Sequence, residues 1–242
     1  MECTKLLYEY LGDLIVLDVG GATTDLHSVT VESDQVARLM ISPEPKAKRT
    51  VEGDLGVYVN RWKVVESIGE EKLREQCREQ GFSMEHALET YRAIPKTEEE
   101  VKLVELLTRE AVVKAAERHA GRLRYIYGPS GRSTVAEGKD LTQVKYIVGT
   151  GGALTRLPHR EEIMREITRC NESGMTGCFP GEHAHDPGGS TTTLWPRWAC
   201  CPSGTPRRPP GCWSRAGHPP SGAESGEPGT RLQQGALPGL ET

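Results

Sequence analysis

The sequence predicts an α/β fold with strands and helices mixed along one chain, and three observations carry that reading. The continuous apolar run Leu14-Ile15-Val16-Leu17 has the pattern of a strand buried on both faces. The stretch from Thr97 to Gly121 has the caps and the periodicity of a long amphipathic helix. Two glycine-rich turns, Gly20-Gly21 and Gly149-Thr150-Gly151-Gly152, stand just past apolar strands. In open α/β sheets such strand ends are where ligands bind.

Taken in order, residues 3–11 read as a short helix closed by Gly12. The buried strand 14–17 follows, Asp18 ends it, Gly20 and Gly21 turn the chain, and Thr24 to Val31 alternates as an antiparallel return strand. A third strand is expected at 35–41. Pro43, Pro45, Gly53 and Gly56 make 42–56 a loop that leads into a helix. Helices are expected at 69–80 and 84–93. In the helix 98–120, Thr97 and Glu100 form a capping box, Gly121 is the stop, and Val101, Val104, Leu107, Ala111, Val112 and Ala115 share one face. Residues 122–127 and 133–137 read as a hairpin across Gly128-Pro129-Ser130-Gly131. A last strand, 143–148, runs into the second glycine turn, and a helix follows at 159–170.

Composition divides the chain at residue 174. The first part is long enough to bury a sizeable core. Residues 175–242 hold 12 Gly and 11 Pro and no Ile, Val or Lys, yet carry three of the four Trp and four of the seven Cys. A segment so poor in branched aliphatics cannot repay the entropy of ordering, so a non-globular tail is expected. Net charge is −4, from 30 basic and 34 acidic residues. That balance offers no basic excess for phosphates and argues against nucleic-acid binding. No run of 18 apolar residues exists, and the acidic start MECTKLLYEYLGD is unlike a signal peptide, so no membrane contact and a cytoplasmic location are expected. Cys3, Cys77 and Cys170 are unpatterned, which suits reduced thiols. His183, His185, Cys200, Cys201 and Cys212 lack the C-x₂-C pairing of a zinc site.

The chemistry concentrates in Asp18-Val-Gly-Gly-Ala-Thr-Thr-Asp25, with two carboxylates, two glycines and two hydroxyls at the mouth of a hairpin. Gly20 and Gly21 let backbone N–H groups approach an anion, and Thr23 and Thr24 can donate hydroxyls to it. Asp18 can hold a hydrated Mg²⁺ or orient a water. Phosphate, Mg²⁺ and a positioned water together suit phosphoryl transfer. The plainer reading is a tight turn with Asx bonding. The second turn, Gly149-Thr150-Gly151-Gly152-Ala153, has bare backbone against which a flat purine and ribose can lie. Its spacing is not the dinucleotide fingerprint.

D-V-G-G-A-T-T-D resembles the second phosphate motif of the actin, heat-shock chaperone and sugar-kinase ATPase superfamily, and V-G-T-G-G-A-L resembles its adenosine motif. Within that superfamily, Ala47-Lys-Arg-Thr-Val-Glu-Gly-Asp-Leu-Gly56, Glu117-Arg-His-Ala-Gly121 and Gly138-Lys-Asp-Leu-Thr142 are similar to the MutL/GlmL family associated with glutamate mutase. That family is unrelated to the mismatch-repair protein that shares the name. The resemblance covers residues 10–172 and implies a ribonuclease H-like nucleotide-binding lobe with inserted helices. It implies an ATP-dependent reactivating chaperone that opens an adenosylcobalamin-dependent mutase and releases damaged cobalamin, with ATP and Mg²⁺ as cofactors and mutase subunits as partners. By position, Asp18 is the Mg²⁺ and water residue. Gly20, Gly21, Thr23 and Thr24 hold phosphates, and Gly149, Gly151 and Gly152 border the adenosine. Asp25 supports either the turn or the metal. Glu52-Gly53-Asp54 either begins a helix near the nucleotide or is a helix N-terminus with favourable acids.

Two departures qualify the resemblance. No D-x-G-[ST] phosphate motif precedes Asp18, so the chain resembles only the second of two lobes, and weak ATP binding with little hydrolysis is expected. After 170 the family continues with a helix resembling D-Y-I-M-A-A-x-G-L-L-S, where this chain has Thr191-Thr-Thr-Leu-Trp-Pro-Arg-Trp-Ala-Cys-Cys-Pro202. Read from the third codon base, that stretch becomes x-[LMV]-Ala-small-[LMV]-Gly-[LMV]-Leu-[SP], which fits the missing helix. A frame slip near 175–178 is the expectation. A small-molecule kinase of the same superfamily, or a remnant of a damaged gene, are the competing readings.

Overall fold

The computed structural model describes residues 1–129, 131–170 and 177–178. The elements in chain order are α1 (Glu2–Leu11), β1 (Leu14–Val19), β2 (Thr24–Val29), α2 (Asp34–Ala37), β3 (Ala47–Glu52), α3 (Arg61–Ile68), α4 (Glu70–Glu79) and α5 (Met84–Glu89). They continue with α6 (Glu98–His119), β4 (Arg122–Gly128), β5 (Gly131–Glu137), β6 (Tyr146–Thr150), α7 (Gly151–Arg156) and α8 (Arg160–Arg169). The main sheet runs β3-β2-β1-β6, with β1 antiparallel to β2, β2 antiparallel to β3 and β1 parallel to β6. This mixed sheet with its helices is an α/β fold compatible with a ribonuclease H-like lobe.

Strand alternation sorts the sheet into two faces. Ile15, Leu17, Val19 and Leu26 enter a large core with α6, whose buried stripe includes Leu103, Leu107, Ala111, Val112 and Ala115. Leu14, Val16, Val29 and Val148 face the other way and are covered by Leu7, Tyr8 and Leu11 of α1. The apolar run of β1 is therefore buried on both sides, as its composition requires. The α6 capping box forms as expected: Thr97 Oγ1 accepts from Glu100 N–H at 3.2 Å, and Glu100 Oε2 accepts from Thr97 N–H at 3.1 Å.

Three expectations are corrected. Residues 35–41 do not form a strand: Ser33 caps a single helical turn, α2, and only Met40 makes an isolated bridge, to Ala136. The third strand is β3, inside the stretch read as a loop. It is an edge strand partly exposed on both faces, so its sequence, AKRTVE, carries no apolar alternation. Glu52-Gly53-Asp54 begins no helix, because α3 starts only at Arg61. A short helix, α7, also follows directly on Thr150.

Several family-like motifs become architecture. Lys139 is fully buried, and its Nζ donates to Thr30 O at 3.1 Å and Pro45 O at 2.9 Å. Asp140 accepts from Ser33 N–H and Oγ and from Thr142 N–H and Oγ1, all within 2.7–2.9 Å, so one carboxylate holds two loops. His119, at the end of α6, joins Ser28 Oγ of β2 at 2.8 Å and Thr50 Oγ1 of β3 at 2.9 Å. Burial pushes its pKa down to about 3, so the imidazole is neutral. Arg118 clamps Glu52 at 2.7 Å and both oxygens of Asp54 at 2.7 and 2.8 Å.

β4 and β5 form a separate two-stranded ribbon. At its root Gly177 pairs with Arg122, Cys178 N–H donates to Gly121 O at 2.9 Å, and Leu141 N–H donates to Cys178 O at 3.0 Å. Apart from Gly177 and Cys178, the expected tail 175–242 and its frame lie outside the described residues. Among the described residues no helix is long and apolar enough to cross a membrane.

Candidate functional site

Both glycine turns lie at the same end of the sheet because β1 and β6 run in parallel, with Asp18 opposite Thr150. Between them opens a cavity of 260 Å³ walled mostly by apolar side chains, among them Val57, Tyr58, Ile94 and Leu157. Gly20 and Gly21 border it from the first turn and Gly152 from the second. A Cβ on Gly152 would meet nothing within 4 Å, so its backbone is open to the cavity.

The first turn is clasped by the segment that follows β3. Val57 N–H donates to Gly20 O at 3.2 Å, while Tyr58 and Val59 N–H donate to Gly21 O at 2.9 and 2.7 Å. Asn60 Nδ2 holds Ala22 O and Gly53 O at 2.7 Å each. Gly56 makes this clasp possible, since a Cβ there would lie 2.2 Å from the backbone of Ala22. Gly20 N–H closes the turn on Thr23 O at 2.9 Å.

Asp18 and Asp25 face each other across β1 and β2. They lie on the sheet face opposite Val19, which borders the cavity, so the carboxylates and the cavity flank the glycine edge from two sides. Asp18 is half-buried, and no donor among the described residues bonds its carboxylate. Burial, and then the neighbouring Asp25, raise its pKa above the usual carboxylate range. Asp25 is held by Arg49 Nε and Nη2 at 3.0 and 2.6 Å, and it accepts from Thr23 Oγ1 at 3.2 Å. Gly151 lets the two turns meet: its φ is +82°, and a Cβ would fall 2.4 Å from Val19 O and 2.5 Å from Asp18 Oδ1.

The remaining expected residues are placed elsewhere. Thr24 is buried, and its hydroxyl donates to Leu55 O at 2.7 Å, pointing into the core beside Leu26. Gly149 packs inward, where a Cβ would meet Met164 Sδ at 2.6 Å. Tyr58 and Tyr91, stacked with centroids 6.0 Å apart, line the cavity without having been singled out in the sequence. Tyr58 follows the Glu52–Gly56 motif by two residues, which is the signal that could have found it.

For a nucleotide and Mg²⁺, the donor set fits in kind. One open glycine, Gly152, a half-buried carboxylate without a donor among the described residues, and a largely apolar cavity are compatible in kind with a purine and a hydrated cation, since Mg²⁺ keeps most of its waters and takes few carboxylates.

The fold and site thus define a mixed α/β lobe whose two glycine turns meet at the end of parallel strands beside a cavity. The family model described as MutL protein matches residues 1–184, and the chain belongs to that family. Protein MutL of Clostridium tetanomorphum is 39% identical over 161 residues, a span covering 64% of this chain and 35% of that relative. The chain therefore corresponds to about a third of the length of the curated relative it matches.

Proposed function

We propose that this chain is the second, nucleotide-handling lobe of an ATP-binding reactivating factor for an adenosylcobalamin-dependent mutase, glutamate mutase or an aminomutase. The observation that carries the reading is the convergence of Gly20, Gly21 and Gly152 on one cavity, with the unpartnered Asp18 carboxylate just across the glycine edge. Membership of the MutL family supports the link to glutamate mutase.

Gly151 and Gly152 would border the adenosine, Gly20, Gly21 and Thr23 the phosphates, and Asp18 would hold Mg²⁺ through its waters. The cation would neutralise phosphate charge. Asp18, kept basic by burial, orients a water. Arg49 holds Asp25 in place and offsets its charge beside Asp18. The wall of Val57, Tyr58 and Leu157 excludes solvent from one side only. The other side and the remaining phosphate contacts belong to a first lobe, so this 242-residue chain binds ATP weakly and hydrolyses it little by itself.

Calorimetry tests the reading. ATP binding by this chain should be weaker than micromolar, and Gly152→Val, which sets a branched side chain where bare backbone borders the cavity, should weaken it further. Micromolar affinity by the lone chain would overturn the single-lobe reading. Undiminished binding by Gly152→Val would overturn the assignment of the cavity.

A further inference from the structure

The ribbon β4–β5 is the part of the molecule that neither the sheet nor the cavity uses. Its register sets Leu123, Tyr125 and Tyr127 on one face, opposite Ala136, Thr134 and Arg132. At the root, Leu123 and Ala136 pack with Val36, Leu39, Met40 and Cys178 in a small core of their own. The same face continues outward uncovered: Tyr125 is 54% and Tyr127 79% exposed. The Arg132 guanidinium lies over the Tyr125 ring at 4.5 Å, which holds the pair in one arrangement. A two-stranded ribbon is marginally stable alone. This one presents aromatic rings where a core would be.

Charge narrows what can cover it. The chain is acidic overall, yet the ribbon carries Arg122, Arg124 and Arg132 against a single acid, Glu137. Arg124 is paired with Glu137 at 2.6 Å, and no ion pair joins Arg122 or Arg132 among the described residues. Two arginines without an ion pair are few for a polyphosphate strand, whose affinity grows with the number of phosphates neutralised. Tyrosine and arginine, pre-arranged and exposed together, are the residues that dominate protein–protein contacts.

We propose that the outer half of this ribbon, through Tyr125, Tyr127 and Arg132, is the docking surface for an acidic, partly apolar patch on a protein partner. Resting on the proposed function, that partner is the mutase. The ribbon then serves as the lobe's handle on its client, separate from the nucleotide cavity.

The test uses the full 242-residue chain, immobilised, with purified glutamate mutase as the probe in biolayer interferometry. The double variant Tyr125→Ser/Tyr127→Ser and the single variant Arg132→Glu should each weaken binding about tenfold or more. Glu75→Lys, on an exposed turn of α4, should leave it unchanged. Far-UV dichroism of each variant should match the parent. Mutase affinity retained in both ribbon variants overturns the docking proposal while leaving the nucleotide reading intact. A parent chain that binds no mutase overturns the mutase reading and this proposal together. Ribbon-dependent self-association in sedimentation, or ribbon-dependent retention of single-stranded RNA, assigns the surface to a second copy or to nucleic acid and also overturns it.

Discussion

Two polar regions of this lobe use similar residues in opposite ways. At the glycine edge, Asp18 has no donor among the described residues, Gly152 is bare, and backbone faces an open cavity. Around the end of α6, Lys139, Asp140, His119 and Arg118 are saturated by named partners and bind strands to loops. Both regions are short, charged and motif-like in sequence, yet one is free to meet a ligand and the other is committed to the fold. Polar groups left open on a rigid frame are what the proposed nucleotide site uses. Satisfied ones mark a joint.

Substitutions should separate the two regions. The largest effect is expected at the joint: Lys139→Met removes the buried ammonium that bonds Thr30 O and Pro45 O and faces Glu32 at 3.4 Å, and should cost about 3 kcal/mol, read by urea unfolding. A loss below 1 kcal/mol would break the distinction. Next, Gly151→Ala forces a Cβ against Val19 O in a left-handed backbone and should cost about 2–3 kcal/mol. Gly152→Ala, one residue on, should be neutral to within about 0.5 kcal/mol.

The joint also sets a pH dependence. His119 titrates near 6.5 when unfolded and near 3 when folded, because burial opposes its charge. Between those values the unfolded chain holds a proton that the folded chain lacks. Stability should therefore fall as pH drops below about 6.5, by up to about 1.4 kcal/mol per pH unit from this group. His27, lowered to about 4 by partial burial, steepens the slope. Urea titrations from pH 7 to 4.5 should show this, and His119→Gln should flatten it by about one proton. Arg118→Ala, at a partly exposed clamp, should cost about 1 kcal/mol. Asp18→Asn should move stability least and upward at pH 7, since the raised pKa means the ionised form is disfavoured in the fold.

Much of this is legible in the sequence. The run Leu14–Leu17 and the Thr97–Glu100 box specify their elements through local rules, and both formed. β3 was not legible because an edge strand has no fully buried face to impose alternation. The placement of Thr24 follows from its period: with Leu26 and Ser28 it lies on the inward face of β2, where its hydroxyl bonds Leu55 O. Arg118 reaching Glu52 and Asp54, 64 to 66 residues away, had no local signal at all. Tyr91 came to the cavity wall from a helix end that carried no motif.

The clasp at Gly56 has a last consequence. Because Gly56 packs against the backbone of Ala22, and the amides of Tyr58 and Val59 both end on Gly21, the first turn and the cavity wall share one set of bonds and are expected to loosen together. The exchange rates of those two amides thus give a clock for the glycine edge: each event that loosens the turn releases both protons to solvent together.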